Sequence, residues 1–401
     1  MGAAEAASPP QISSQIAQLP KESIRTVPPL AGTVAHHLPR DKNKTMKLSS
    51  TLSLAVFGVL SLAGPAFAAS SNDATVDPEA TARKIWRDSI AKLPIAAEDC
   101  SHLSYPNYVW EHVDCRETQP RVLPTRHANS KVPGAAAVGN GNDYIAETQG
   151  IISASYGDLQ TTGITSEKTV NVGSNTGGIV GSNEYSIQLN TNNDRSTALC
   201  SGHDGCTVWQ QFIYATDYNT KGEAAVFMQY WLLGWQAVCP SGWYPKTGGQ
   251  ENCYKNSKSV AVPNIPVTEL GEISMQALVT TGLQDMFLFV YGKEGWTISA
   301  TDDVLDIGLV WHQTEFNVVG DIDSSQAQFN NGATIDVQLE ITDGTFNPPT
   351  CTAGIATTGE TNNMFMGPCQ AGFVAAPYIK FSESTLSVAT TLPIAPIRAF
   401  Q

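Results

Sequence analysis

"LVWHQTEFNVVG", residues 309–320, alternates with a period of two, and the fold turns on reading it as a strand. Successive strand side chains point to opposite faces. One face therefore takes Val310, His312, Thr314, Phe316 and Val318, and the other Trp311, Gln313, Glu315, Asn317 and Val319. Outward from this stretch the same habit recurs. From Tyr144 onward, short runs rich in Val, Ile, Thr and aromatics ("EYSIQLNT", "TVWQQFIYAT", "AVFMQYWLLGW", "EISMQALVTT", "MFLFVYGKEGWTISAT", "TIDVQLEITD") are separated by Gly, Asn, Asp and Pro. Such spacing indicates an all-β sandwich or barrel. In "VYGKEGWTI" the residues Gly292, Lys293, Glu294 and Gly295 read as the turn of a hairpin.

The chain has 401 residues, 42% hydrophobic and 15% charged, enough to bury a substantial core. With 23 Lys and Arg against 37 Asp and Glu, the net charge of −14 argues against nucleic acid, which needs clustered cations for its phosphates.

Residues 46–68 read as a signal peptide: Lys47, an apolar core from Leu52 to Ala63, and Ala66-Phe67-Ala68 as the cleavage motif. That predicts a secreted protein with no membrane span in the mature chain, since the apolar run is too short to cross. Residues 1–45 read as a disordered, over-extended N-terminus. Residues 69–142 form an N-terminal arm or a detachable pro-segment. They hold one short helix, spaced by Ala82, Trp86, Ile90 and Leu93, and then a Pro-rich linker. The sandwich is expected over 143–385, with 386–401 a Pro-punctuated tail.

The eight cysteines fall into neighbouring pairs, Cys100/Cys115, Cys200/Cys206, Cys239/Cys253 and Cys351/Cys369. An even count in an exported chain reads as disulfides, with sequential pairing the expectation from proximity. No metal site is expected, because no C-x-x-C occurs and His203 has no partner cluster. A serine triad lacks its base: His203 lies inside a small cysteine loop, and His312 falls on the face opposite Glu315. Asp321 and Asp323, in "GDIDSSQ", read as a polar turn in preference to a calcium loop.

The strand faces carry more. Trp209 and Gln211 share a face, Gln210 takes the other, and Phe227, Gln229 and Trp231 fall together. Three strands thus set an aromatic two positions from a Gln or Glu, as a ligand groove does. A carboxylate among aromatics and amides is able to exchange a proton in acid, and an amide facing it is able to donate to an oxyanion.

The ordered set "VWQQFIY" (208–214), "VFMQYWLL" (226–233), "LGEISMQALV" (270–279), the Gly292 hairpin, "TEFNV" (314–318) and "SSQAQFNNGATIDV" (324–337) resembles the glutamic peptidases, the eqolisins and the related neprosin-type enzymes. The resemblance covers about residues 180–345, with Phe316 in place of a Trp and Glu272 in place of an Asp. It implies an antiparallel β-sandwich of jelly-roll or concanavalin-like kind and a zymogen with an N-terminal pro-segment. It also implies catalysis by Glu315 with Gln211 or Gln210, no cofactor, and a protein or peptide substrate. Trp209, Gln229, Trp231, Trp311, Gln313 and Asn317 would line the cleft of a monomer. A non-catalytic, lectin-like module binding carbohydrate or peptide is the competing expectation, since aromatic-lined sheets also bind sugars.

Overall fold

The computed structural model describes residues 78–93, 100–121, 144–172, 179–245, 251–321, 325–353 and 360–385. The signal peptide, the linker after residue 121, Asp323 and the tail lie outside them. Two large antiparallel sheets and one small sheet account for the strands. The back sheet has ten strands. It runs from Glu111–Val113 and Cys100–Ser104 through the Gln284–Tyr291/Glu294–Thr301 hairpin, Ile273–Thr280, Ala154–Thr162 and Thr334–Thr342 to Pro377–Ser384 and its short partners. The front sheet has eight, in the order Tyr244–Pro245, Cys253–Pro263, Glu223–Leu233, Thr207–Thr220, Tyr185–Thr191, Gln313–Gly320, Tyr144–Glu147 and Thr350–Ala353. Ser325–Phe329 anchors a four-stranded sheet beside them and pairs in parallel with Thr361–Asn362.

The sandwich core follows from alternation. Val208, Phe212 and Tyr214 of one front strand, and Val226, Met228, Tyr230 and Leu232 of the next, are all buried in one cluster with Leu159, Met275, Phe287, Phe289, Val337 and Leu339 of the back sheet. Tyr214 stacks on Phe289 with centroids 4.8 Å apart and planes within 3°, and Phe212 meets Phe287 edge-on at 5.7 Å. Each such side chain contributes roughly 1.5–3 kcal/mol by leaving water. Phe316 enters the same core where Gly157 faces it, and a Cβ at that glycine would overlap the phenyl ring.

The helix forms over Pro78–Ile90, with Pro first, Glu79 in its first turn and Arg87 in its last. Its inward positions Trp86 and Ile90, four apart, are fully buried with Leu103, Leu288 and Val290 on the outer side of the back sheet. The arm does more than carry this helix. Cys100–Ser104 pairs with Glu294–Thr301, and Glu111–Val113 pairs with Cys100–Ser104, so residues 100–113 extend the back sheet. The hairpin loop is the two residues Gly292 and Lys293, with Tyr291 opposite Glu294 and Gly292 at φ +57°.

Two details differ from the sequence expectation. The Glu315 strand begins at Gln313, because residues Ile307–Leu309 form a 3-10 turn and Trp311 N still donates to the Ile307 carbonyl. Trp311 therefore does not share the face of Glu315. It lies fully buried between the sheets, stacked on Phe212 at 6.2 Å, and lines no cleft.

The four disulfides join Cys100 to Cys115, Cys200 to Cys206, Cys239 to Cys253 and Cys351 to Cys369, the sequential pairing. They are compatible with an extracellular protein. Among the described residues no helix is long and apolar enough to cross a membrane.

Candidate functional site

The outer face of the front sheet gathers the polar parity of five neighbouring strands. Register places Glu315 opposite Asn190, Asn190 opposite Gln211, Gln211 opposite Gln229, and Gln229 opposite Asn256. One row therefore crosses the sheet as Glu-Asn-Gln-Gln-Asn. Antiparallel partners stand about 5 Å apart, so the Cα atoms of Glu315 and Gln211 are about 10 Å apart with Asn190 between them.

Hydrogen bonds hold most of these amides in place. Gln211 Nε2 donates to Gln188 Oε1 at 2.9 Å, and its Oε1 accepts from Trp231 Nε1 at 2.9 Å. The same indole reaches Gln229 Oε1 at 3.1 Å, and Gln229 Nε2 donates to Asn256 Oδ1 at 2.7 Å. Asn190 Nδ2 donates to Gln188 Oε1 at 3.4 Å. Trp209, Trp231 and Tyr254 pack as a separate aromatic cluster beside the row, the two indoles 6.0 Å apart. Glu315, Asn190, Gln211 and Gln229 are buried.

Three buried polar atoms around the row have no hydrogen-bond partner among the described residues: Asn190 Oδ1, Trp209 Nε1 and Gln313 Oε1. Each such group costs roughly 1–3 kcal/mol unless something pairs with it. Two acceptors and a donor of this kind beside Glu315 and Gln211 suit a polar ligand or water.

A strap of the chain lies over this face. After the Cys100–Cys115 disulfide, Arg116 bridges to Ser259 through both backbone groups at 2.8 Å. The strap then crosses the sheet with its carbonyls caught by side-chain donors. Asn256 Nδ2 donates to the Gln119 carbonyl at 2.9 Å, and Tyr254 Oη to that of Pro120 at 2.8 Å. The Arg121 carbonyl accepts from Tyr218 Oη at 2.6 Å and from Gln229 Nε2 at 3.4 Å. Gln229 is the strand partner of Gln211, so residue 121 stands one strand from the candidate pair.

The other predicted residues sort by parity. Gln210 faces the interior, where its Nε2 donates to the buried Asp285 Oδ2 at 2.9 Å; it cannot share a ligand with Glu315 on the outer face. Burial pushes the Asp285 carboxyl well above the usual range; the Gln210 hydrogen bond opposes this and Asp302 adds to it. Asn317 follows Glu315 on the strand but reaches Glu383 Oε2 at 3.4 Å. His312 sits with Asp194: burial opposes its charge, but the carboxylate wins and raises its pKa, while Asp194 is held low. His203 is stacked on Trp235 at 3.4 Å.

Asn190, Gln188, Asn256, Tyr218 and Tyr254 were not singled out in the sequence. The signal for two of them was present, since Ser186, Gln188 and Asn190 alternate with Tyr185, Ile187 and Leu189. Among the described residues no group of three or more His, Cys, Asp or Glu is disposed to hold a metal ion. Fold and site together define a disulfide-bonded antiparallel β-sandwich with a buried Glu/Gln/Asn row on one face. Comparison with protein-family models, curated proteins and solved structures finds no match.

Proposed function

We propose that the front sheet binds an extended peptide and hydrolyses it with Glu315 and Gln211, as a secreted, acid-acting glutamic peptidase. The observation that carries this reading is the strap. A backbone segment already runs across the face, its carbonyls bound by Asn256, Tyr254, Tyr218 and Gln229, in line with the Glu315–Asn190–Gln211 row. Side-chain donors that grip main-chain carbonyls recognise peptides irrespective of sequence.

In this reading Glu315 takes a proton from a water whose other hydrogen is accepted by Asn190 Oδ1. The hydroxide adds to the scissile carbonyl carbon, and the oxyanion receives an N–H from Gln211 Nε2, whose first N–H is fixed on Gln188. Glu315, now protonated, returns the proton to the leaving nitrogen as the C–N bond breaks. The amide orientation is itself fixed by Trp231, so Gln211 is pre-set for donation. The N-terminal section is the occupant that has to leave before a substrate enters, which makes the full chain a zymogen. Acid suits the framework too: burial raises Asp158 to about 6, Glu184 to about 7 and Glu167 to about 8.

A second reading is favoured by one observation. A cavity of about 540 Å³ opens on the outer face of the back sheet, lined by Asp158, Gln160, Asp336, Gln338, Lys380 and Ser382. Those are groups suited to sugar hydroxyls, and a binding module would use that face. Gelatin digestion from acidic to neutral pH, with wild type beside Glu315→Gln, separates the two. Acid-side digestion lost in the variant supports the peptidase; equal digestion removes Glu315 from the chemistry; no digestion at any pH, even after the strap is cut, leaves the binding module.

A further inference from the structure

Resting on that peptide-binding reading, we infer that the front face carries a subsite for a basic side chain, Arg or Lys, built from Tyr218 and Asp321, with the exposed Arg121 of this chain at its rim over the Tyr218 ring. Tyr218 is fully buried against Phe227, with centroids 4.6 Å apart, and the Arg121 guanidinium lies over its ring, 5.8 Å from the centroid. An aromatic face attracts such a cation, Arg more often than Lys.

Asp321 supplies the second, independent observation. It is 0% exposed, and neither of its carboxylate oxygens has a hydrogen-bond partner among the described residues. A buried carboxylate without partners is expensive, and the cost is relieved by a proton or by a cation brought beside it. Burial first, and then Glu360, Glu184 and Asp217, push the Asp321 carboxyl well above the usual range, while Arg121 acts in the opposite sense. Burial raises the Tyr218 hydroxyl well above its ordinary value, and Asp321 adds to that shift while Arg121 opposes it.

The subsite has a defined place on the peptide. Residue 121 meets Gln229, and the centre of the Glu315–Gln211 pair lies about two strands farther on, roughly 10 Å or three extended residues. A substrate running the same way as the strap therefore presents Arg or Lys about three residues to the N-terminal side of the bond that is cut.

Hydrogen exchange of the full chain, read over residues 116–121, tests the pairing first. Arg121→Gln and Asp321→Asn should each speed exchange there about tenfold, Arg121→Lys should stay near wild type, and the double variant should be no faster than either single one. An Arg121→Gln chain as slow as wild type, or single effects that multiply, would overturn the pairing. Should Asp321→Asn disturb the fold, Tyr218→Leu paired with Arg121→Gln serves the same cycle. The ligand class is read by fluorescence anisotropy with the peptide Glu-Thr-Gln-Pro-Arg against its Ala-ended form, on the Arg121→Gln, Glu315→Gln chain, where the strap is loosened and nothing is cut. About tenfold preference for Arg supports the subsite; equal binding, or none, refutes it. Because this assay reads binding, Arg preference without gelatin digestion would sink the peptidase and keep the subsite. Digestion without Arg preference would do the reverse.

Discussion

Glu167→Gln should flatten the dependence of stability on pH. Glu167 is 4% exposed on the small sheet, its Oε1 accepting from the Thr169 hydroxyl at 2.7 Å. Burial raises its pKa from 4.5 to about 8, the Thr169 bond opposing only part of the shift. The folded chain thus holds a proton that the unfolded chain releases near pH 4.5. The stabilisation is complete below that value and is lost as pH rises toward about 8. One such group changes stability by about 1.4 kcal/mol per pH unit inside this window, so the loss between pH 4.5 and 7 is on the order of 3 kcal/mol. A carboxamide has the shape of the protonated acid and no charge to develop. The variant should match wild type at pH 4 and exceed it at pH 7 by roughly 2–3 kcal/mol. Denaturant unfolding with the disulfides intact, at pH 4, 5.5 and 7, measures this. Stability curves that stay parallel across that range would refute the account of Glu167.

Two further outcomes follow from the framework. Gly157→Ala should cost several kcal/mol in the same unfolding assay, since its Cβ would overlap Phe316, and Phe316→Leu alongside it should recover much of the loss by making room. Removing the Cys100–Cys115 disulfide, which closes a 15-residue separation at the root of the strap, should lower stability by about 3 kcal/mol and raise hydrogen exchange over residues 116–121.

The sandwich was legible because alternation survives in single strands. Val208, Phe212 and Tyr214 inside, with Trp209 and Gln211 outside, is readable from letters alone, as is the two-residue turn at Gly292. Gln211 could be preferred over Gln210 by its parity with Trp209, and the bond from Gln210 to Asp285 places Gln210 in the interior. Trp311 misled because parity was carried back through a 3-10 turn, where a two-residue period no longer holds. The strands Cys100–Ser104 and Glu111–Val113 are short and owe their pairing to the edge of a hairpin almost 200 residues away, a long-range condition that no local pattern records. Asn190 lay in a recognised strand, and only register, set by its two neighbours, shows that it separates Glu315 from Gln211. The strap leaves no mark in the sequence, because its bonds run from side chains of distant strands to its own carbonyls, which every residue has.

The central claim is that Glu315 and Gln211 act as one unit across Asn190. Its most direct measurement is kcat/KM for an unfolded protein substrate at acidic pH, in a double-mutant cycle of Glu315→Gln and Gln211→Ala, with unfolding curves confirming that each variant is folded. Groups that share one transition state lose activity non-additively. The account predicts that each single variant falls at least about a hundredfold and that the double variant is no worse than the poorer single one. Undiminished hydrolysis by Glu315→Gln, or two losses that simply multiply, would contradict it.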